Sequence, residues 1–171
     1  MILTEEELAA VAEKLKVDIN ELKFQADGIE SFIRDYTNNN FIIRSVRVIT
    51  PSKYGKLETV SSNFKVGDTV QISGTDLNDG LYVLTELNGT LDRDILDCDK
   101  NIVTLVRYPL AVKLGVVKML EYTAKTADKV GIASETLSRH SVSYVHNNNN
   151  SAYDYPESYI SFLKPYMKAR F

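Results

Sequence analysis

The sequence predicts an α+β protein, with a small helical body, an inserted antiparallel β barrel or sandwich and an extended C-terminal tail. Three observations support this fold class: apolar residues recur with a helical period on both sides of the middle of the chain, they alternate with a period of two within it, and the last part is rich in tyrosine and polar residues. A length of 171 residues suits one domain with an insertion.

The chain begins with two predicted helices. Thr4 with Glu7 three residues later is a capping-box pattern, and an apolar face follows at Leu8, Val11, Ala12 and Leu15. Asp18 marks a second helix start, and the apolar stripe of that helix is Leu22, Ala26, Ile29, Ile33 and Tyr36. The run 37–40 (TNNN) should end the second helix, because its side chains compete with the helical backbone for hydrogen bonds.

From Phe41 onward the pattern is typical of short β-strands. Strands are predicted at 41–43, 46–49, 69–74, 81–84 and 102–106. The segment 78–80 (NDG) predicts a turn with positive φ angles, and Asn88-Gly89 predicts a second tight turn. Several strands at hairpin spacing predict a small barrel or sandwich.

A third helix is predicted after Pro109, which suits the first helical position. Its apolar residues are spread widely around the helix axis, and this breadth predicts a helix that is buried on most sides and packed against the second helix. The predicted stripe is Leu110, Leu114, Val117 and Leu120, widened by Ala111, Val116 and Met119. Gly131 is predicted as the residue that ends this helix.

The last 40 residues differ in kind from the body. A strand is predicted over 141–145, a loop over 147–150 and a short helical stretch from Tyr155 to Leu163, ended by Lys164-Pro165. Five of the ten tyrosines lie in the last 28 residues, and tyrosine is enriched at interfaces. The favoured interpretation is a tail that docks into a groove on another subunit, and the alternative is a tail folded over its own core.

Composition divides the chain into four predicted segments: a helical part at 1–44, an inserted β subdomain at 45–107, a buried helix at 108–131 and the tail at 132–171. Residues 1–40 hold nine acids and four bases, whereas residues 101–171 hold five acids and nine bases. Such an asymmetry suits a subunit oriented between unlike neighbours. The net charge of -3 argues against a nucleic-acid wrapper, and neither a signal peptide nor a membrane-spanning run is predicted.

No residue pattern predicts a catalytic, cofactor or metal site. His140 and His146 are five apart and lack the spacing of a metal motif, and Cys98 lies among acids, which weakens a thiol as a nucleophile. The acidic run 92–99 lacks the glycine and terminal ligand of a calcium loop, so a solvated turn is predicted. We therefore expect a protein that is not an enzyme and that carries no cofactor or metal.

Several segments, taken in order, resemble the head–tail connector (adaptor, or head-completion) proteins of long-tailed bacteriophages. They are RDYTNNNF at 34–41, YPLAVKLGVVKML at 108–120, KVGIASETLSRHSVSY at 129–144 and YPESYISFLKPYMKARF at 155–171. The segment FKVGDTVQISGTDLNDGLYVL at 64–84 is similar to β insertions in some phage structural proteins. The long insertion departs from the smallest members of the family.

The resemblance implies a structural virion protein whose subunits form a ring, commonly a dodecamer, beneath the portal. It implies the portal protein and the stopper or tail-completion protein as partners, DNA only as a passenger through the channel, no membrane, assembly in the host cytoplasm and a final place at the head–tail interface. The matching positions for docking to the portal or to a neighbouring subunit are Arg139, Ser141, Val142, Tyr144, Tyr155, Pro156, Leu163, Pro165, Tyr166, Arg170 and Phe171. The alternative that remains open is a small nucleic-acid-binding module using the β subdomain and the basic tail.

Overall fold

A computed structural model describes residues 1–126, 134–137, 140–143 and 155–169, and its fold class is α+β as predicted. The chain forms two compact units. The β unit comprises residues 1–4 and 40–109, and the helical unit comprises residues 5–39 and 110–171. In chain order, the bulk of the β unit therefore lies between two parts of the helical unit.

The helical unit is built from α1 (Glu5–Leu15), α2 (Ile19–Thr37), α3 (Leu110–Thr126) and α4 (Glu157–Ile160), the last continued by a 3-10 helix (Ser161–Tyr166). It also contains an antiparallel hairpin, whose strands are labelled β6 (Ser134–Leu137) and β7 (His140–Ser143) in the order of the chain. The second of these strands agrees with the prediction, and the first was not predicted.

The ends of α2 follow from its sequence. Asp18 caps the first turn, its carboxylate accepting hydrogen bonds from the backbone N–H groups of Asn20 at 2.9 Å and Glu21 at 3.1 Å. Asn38 ends the helix in the left-handed conformation with φ 49°, which asparagine tolerates better than most residues. The predicted start and end of α2 are both confirmed.

The core of the helical unit uses the predicted faces of α1 and α2. Leu8, Val11 and Ala12 are buried on α1, and Leu22, Ala26, Ile29 and Ile33 are buried on α2. Two ion pairs join α1 to α3: Lys113 to Glu7 at 2.9 Å and Lys14 to Glu121 at 2.6 Å. The ammonium group of Lys14 lowers the pKa of Glu121.

The face that α3 buries differs from the predicted one. Its buried residues are Val112, Gly115, Val116, Met119 and Leu120. Leu110 and Leu114, predicted to lie in the core, are 70% and 55% exposed. Successive helical residues are rotated by about 100°, so Leu114 points about 160° away from Val116. The prediction of a helix buried on most sides is wrong for the subunit by itself.

The β unit contains an antiparallel half-barrel of five strands, in the order β2-β1-β5-β3-β4. The strands are β1 (Ile42–Lys53), β2 (Lys56–Leu57), β3 (Thr69–Ser73), β4 (Gly80–Val83) and β5 (Cys98–Val106). β5 pairs with both β1 and β3, for example Val103 with Val48 and with Ile72. The alternation of apolar residues predicted most of these strands, but not the short β2.

Buried residues from β2 to β5 and the loops between them form the core of the β unit, and partly buried residues of β1 pack against it. The central residues are Leu57, Val70, Ile72, Leu84 and Val103, each with no exposed surface. Residues 1–4 also belong to this unit rather than to the helical body: the amino group of Met1 donates a hydrogen bond to Thr69 Oγ1 at 3.2 Å, and that hydroxyl donates to the Met1 carbonyl at 3.0 Å.

A buried polar network fastens the loop that precedes β4. The Asn78 side chain donates to the Leu96 carbonyl at 2.9 Å and to Asn101 Oδ1 at 3.1 Å, and it accepts from the Leu96 N–H at 2.8 Å. Ser52 Oγ donates to the Leu96 carbonyl at 2.7 Å and accepts from Asn101 Nδ2 at 3.0 Å. The prediction of positive φ across 78–80 is wrong, because the positive φ angles of this loop lie at Gly74 and Asp76, and Asn78 serves as a buried anchor.

Candidate functional site

The C-terminal segment, residues 155–169, lies against α2 and α3 of its own unit. The backbone N–H of Lys168 donates to the Thr37 carbonyl at 2.8 Å. Asn39 Nδ2 donates to the Tyr166 carbonyl at 3.1 Å, and Asn38 Nδ2 donates to the Ala169 carbonyl at 2.9 Å. The asparagine run that was predicted only to end α2 therefore also binds the end of the described chain.

Aromatic side chains hold the start of the C-terminal segment. The Tyr155 hydroxyl lies 2.8 Å from Thr123 Oγ1, and its ring stacks on Phe32 with the centroids 6.5 Å apart. Tyr122 on α3 contacts Tyr155 and Tyr159, at centroid distances of 5.9 Å and 4.6 Å. The tyrosines that predicted an interface thus form one within the subunit.

The middle of the C-terminal segment is part of the core. Leu163 is 0% exposed and Ile160 is also buried. The Phe162 ring covers Gly115 so closely that a Cβ on Gly115 would lie 2.2 Å from Phe162 Cζ. The glycine in the middle of α3 is explained by this contact, because any side chain there would displace the ring.

The predicted docking residues fall into three groups. Tyr155 and Pro156 are half-buried and Leu163 is fully buried, so the predicted short helical stretch is present but packs on its own unit, as the alternative interpretation of the tail expected. Pro165 is exposed and Tyr166 is half-exposed. Ser141 and Val142 lie in β7. Outside the described residues are Arg139, Tyr144, Arg170 and Phe171, and also the residues of the predictions made for Gly131, His146 and 147–150.

A cleft of about 600 Å³ lies between α3 and the C-terminal segment. Its apolar lining comes from Leu114, Tyr122, Tyr159 and Phe162, and Lys118 and Lys125 place cationic groups at its edge. Leu110 continues the exposed apolar surface of α3 by one turn toward its start. Sequence reasoning missed this surface because it assigned both leucines to the core.

One ion pair stabilises the C-terminal segment from outside. Lys164 Nζ lies 2.7 Å from Glu157 Oε1, and this contact lowers the pKa of Glu157 and raises that of Lys164. Both side chains are exposed, so the pair contributes little to stability.

The acidic run 92–99, which includes Cys98, makes ordinary structural contacts. In the acidic run, Asp92 accepts from the Val83 N–H at 3.0 Å and Asp97 accepts from the Tyr54 N–H at 2.9 Å. Arg93 packs over the Tyr82 ring at 4.4 Å, and the Cys98 thiol lies 3.5 Å from the Lys100 carbonyl. Among the described residues, no cluster of three His, Cys, Asp or Glu side chains has the geometry to hold a metal ion.

Comparison with known proteins gives no assignment: no protein-family model matches the chain, and a search of curated proteins returns no significant match. Within the part of the chain that the structure describes, no helix has the length and apolar character to cross a membrane.

Proposed function

We propose that this protein is a head–tail connector of a long-tailed bacteriophage, a structural and non-enzymatic subunit that forms a ring beneath the portal and prepares the site for the stopper and tail. The proposal starts from the ordered resemblance of 34–41, 108–120, 129–144 and 155–171 to that family. Its partners would be further copies of itself, the portal protein and the tail-completion protein, and its final place the virion.

The observation that carries the proposal is the uncovered apolar face of α3. Leu110 and Leu114 are 70% and 55% exposed, they stand one turn apart, and they adjoin the cleft beside Phe162. Contiguous exposed apolar surface marks a protein contact more often than it marks a catalytic site when no reactive groups lie within it. A subunit of a larger assembly accounts for a helix that is hydrophobic on both its inner and outer sides.

The C-terminal segment has two sides, and we assign them different roles. Ile160 and Leu163 hold the segment on α2 and α3. Pro165, Tyr166 and Met167 lie at its far end, and the proposed contact with the portal or a neighbouring subunit uses this end. The extended anchor inferred from the resemblance is thereby restricted to residues that the subunit leaves accessible.

The alternative, a nucleic-acid-binding module based on the β unit, has less support. Residues 76–99 of that unit contain seven acidic side chains and one basic one. The basic side chain, Arg93, is held over Tyr82 and bonded to the Leu81 carbonyl at 2.8 Å. This acidic segment repels phosphates, whereas single-strand binding by a small barrel needs a cationic groove.

Electron microscopy tests the proposed function, using the chain alone and mixed with the portal protein of the phage that encodes it. The expected result is a closed ring of identical subunits coaxial with the portal. A protein that stays monomeric alone and also fails to bind portal would refute the proposal. Salt-sensitive retardation of DNA in a gel, without portal binding, would favour the nucleic-acid alternative instead.

A further inference from the structure

The outer face of α2 carries an exposed aromatic residue that the subunit does not use. Phe24 is 82% exposed although it lies in the middle of a regular helix. It is about 200° around the axis from Leu22, which faces the core. An exposed phenylalanine on a rigid helix costs solvation free energy, and such residues are common centres of protein interfaces.

Gly28 lies one turn after Phe24 on the same outer face. A Cβ at Gly28 would meet nothing within 4 Å, so the fold of the subunit does not require glycine there. Glycine in the interior of a helix costs about 1 kcal/mol relative to alanine. Since no contact within the subunit requires this glycine, we take it as a place where the backbone of another helix can approach closely.

Two acidic side chains lie one turn from the exposed phenylalanine, and one basic side chain, Lys23, is its neighbour in the sequence. Glu21 and Asp27 lie one turn before and one turn after Phe24, and Asp35 lies further along the same face. The exposed face of α3 has the opposite character, because Lys118 and Lys125 flank the apolar surface of Leu114 and the cleft, while Lys14 pairs with Glu121. The two faces are complementary in charge.

One subunit cannot join these two faces to each other. α2 and α3 both turn their buried sides into the same core, with Leu22 and Ile33 on α2 and Val116 and Met119 on α3 fully buried. Their outer faces therefore point away from each other. Contact between them requires two copies of the chain and is heterologous, the type that forms a ring when the rotation between successive copies closes.

We infer that Phe24 of one copy enters the cleft beside Leu114 on α3 of the next copy, with Gly28 allowing the helices to approach and Lys118 facing Glu21 and Asp27. The inference rests on the proposed function, since it names the contact by which the ring forms. The occupant of the cleft is thus a second copy of this chain.

Two single variants and their mixture test the contact. Phe24→Asp removes the inserted side chain, and Leu114→Asp places a carboxylate in the cleft; both positions are more than half exposed, so each variant should keep the helical circular dichroism of the wild type. Each variant alone should weaken self-association by at least about thirtyfold, the loss expected at a central interface residue. Leu87→Asp, 58% exposed in the β unit, is the matched control and should assemble as the wild type does.

The mixture separates a heterologous contact from other arrangements. Phe24→Asp keeps an intact cleft and Leu114→Asp keeps an intact phenylalanine, so an equimolar mixture should form a dimer with one copy of each and nothing larger. Mass photometry and sedimentation velocity on the full chains, with and without portal, measure the sizes. If the wild type forms rings and both variants do so equally well, the inferred contact is wrong and the proposed function stands.

Two further outcomes would also overturn the inference. If Leu114→Asp loses portal binding but keeps self-association, the cleft receives the portal rather than a second copy. If the wild type never associates, alone or on the portal, the contact and the proposed function fail together. Charge reversal provides an independent check: Lys118→Glu should weaken assembly, and Asp27→Lys in the same chain should restore at least part of it.

Discussion

Leu163→Ala tests whether the C-terminal segment belongs to the folded subunit. Leu163 has no exposed surface and lies in a segment hydrogen-bonded to the end of α2. Truncation of a fully buried leucine removes its transfer free energy and leaves a cavity, which together cost 2 to 5 kcal/mol. Because the segment lies at the edge of the unit and can relax toward α3, we expect about 3 kcal/mol.

Chemical unfolding followed by far-ultraviolet circular dichroism is the appropriate assay. The four α-helices of the described residues all belong to the helical unit, so the helical signal reports the unit in which the change is made. Met167→Ala serves as the control, because Met167 is exposed in the same segment and its truncation should change the free energy of unfolding by less than about 0.5 kcal/mol.

The result that would refute this reasoning is an unchanged unfolding midpoint for Leu163→Ala. Such a result would mean that the segment is not packed on α2 and α3 in solution, as the extended-tail interpretation of the sequence predicted. The same logic applies to deletion of residues 155–171. An extended tail could be removed without loss of helical signal, whereas a packed segment would take the Leu163 contacts with it and destabilise the helices.

Three other predictions concern the β unit. Gly89→Ala should lower the free energy of unfolding by about 3 kcal/mol, because Gly89 has φ 94° and a Cβ there would overlap the Leu57 carbonyl oxygen. Gly67→Ala is the control: Gly67 has φ 89° but open space around it, so the loss should be only about 1 kcal/mol. Equal losses in thermal or chemical unfolding would contradict the steric argument. Asn78→Ala should destabilise the unit by about 2 to 4 kcal/mol, since it leaves buried hydrogen-bonding groups without partners, and an unfolding curve like that of the wild type would show that water replaces the amide. Hydrogen bonds from Thr75 and Gly74 lower the pKa of Asp79. The contribution of Asp79 to stability is therefore present above the ordinary carboxyl pKa and is lost as the pH falls through the lowered pKa. Titration by NMR should show this lowered pKa, and in Thr75→Ala the pKa should rise without returning fully to normal, because backbone donors remain.

Local signals in the sequence predicted the parts of the fold that local chemistry decides. The start of α2 at Asp18 and its end at Asn38 could be predicted, because capping involves neighbouring residues only. The alternation around Val70 and Ile72 predicted β3 because a strand with one buried face must alternate. Met1–Thr4 could not be assigned to the β unit in this way, since its bond to Thr69 spans 68 positions of the chain.

The candidate site depended on long-range packing and was only partly predictable. The tyrosines of the C-terminal segment predicted contact with another subunit, but the partners of Tyr155 in the structure are Thr123, Phe32 and Tyr122 of the same chain. Gly115 was the available signal, because a glycine in an otherwise apolar helix indicates that something approaches closely. The glycine indicates that some group contacts α3 there, but it does not identify that group as Phe162.

The error at α3 is informative about function. A helix that is hydrophobic around most of its circumference is buried on most sides, and the sequence of α3 fits that rule. The subunit buries Val116 and Met119 and leaves Leu110 and Leu114 in solvent. The rule concerns the state in which the protein works, whereas the structure describes one subunit. The rule and the structure agree if a second copy covers the outer face of α3. Phe24 on the exposed face of α2, with Glu21 and Asp27 one turn away, has the apolar and acidic groups that this contact requires.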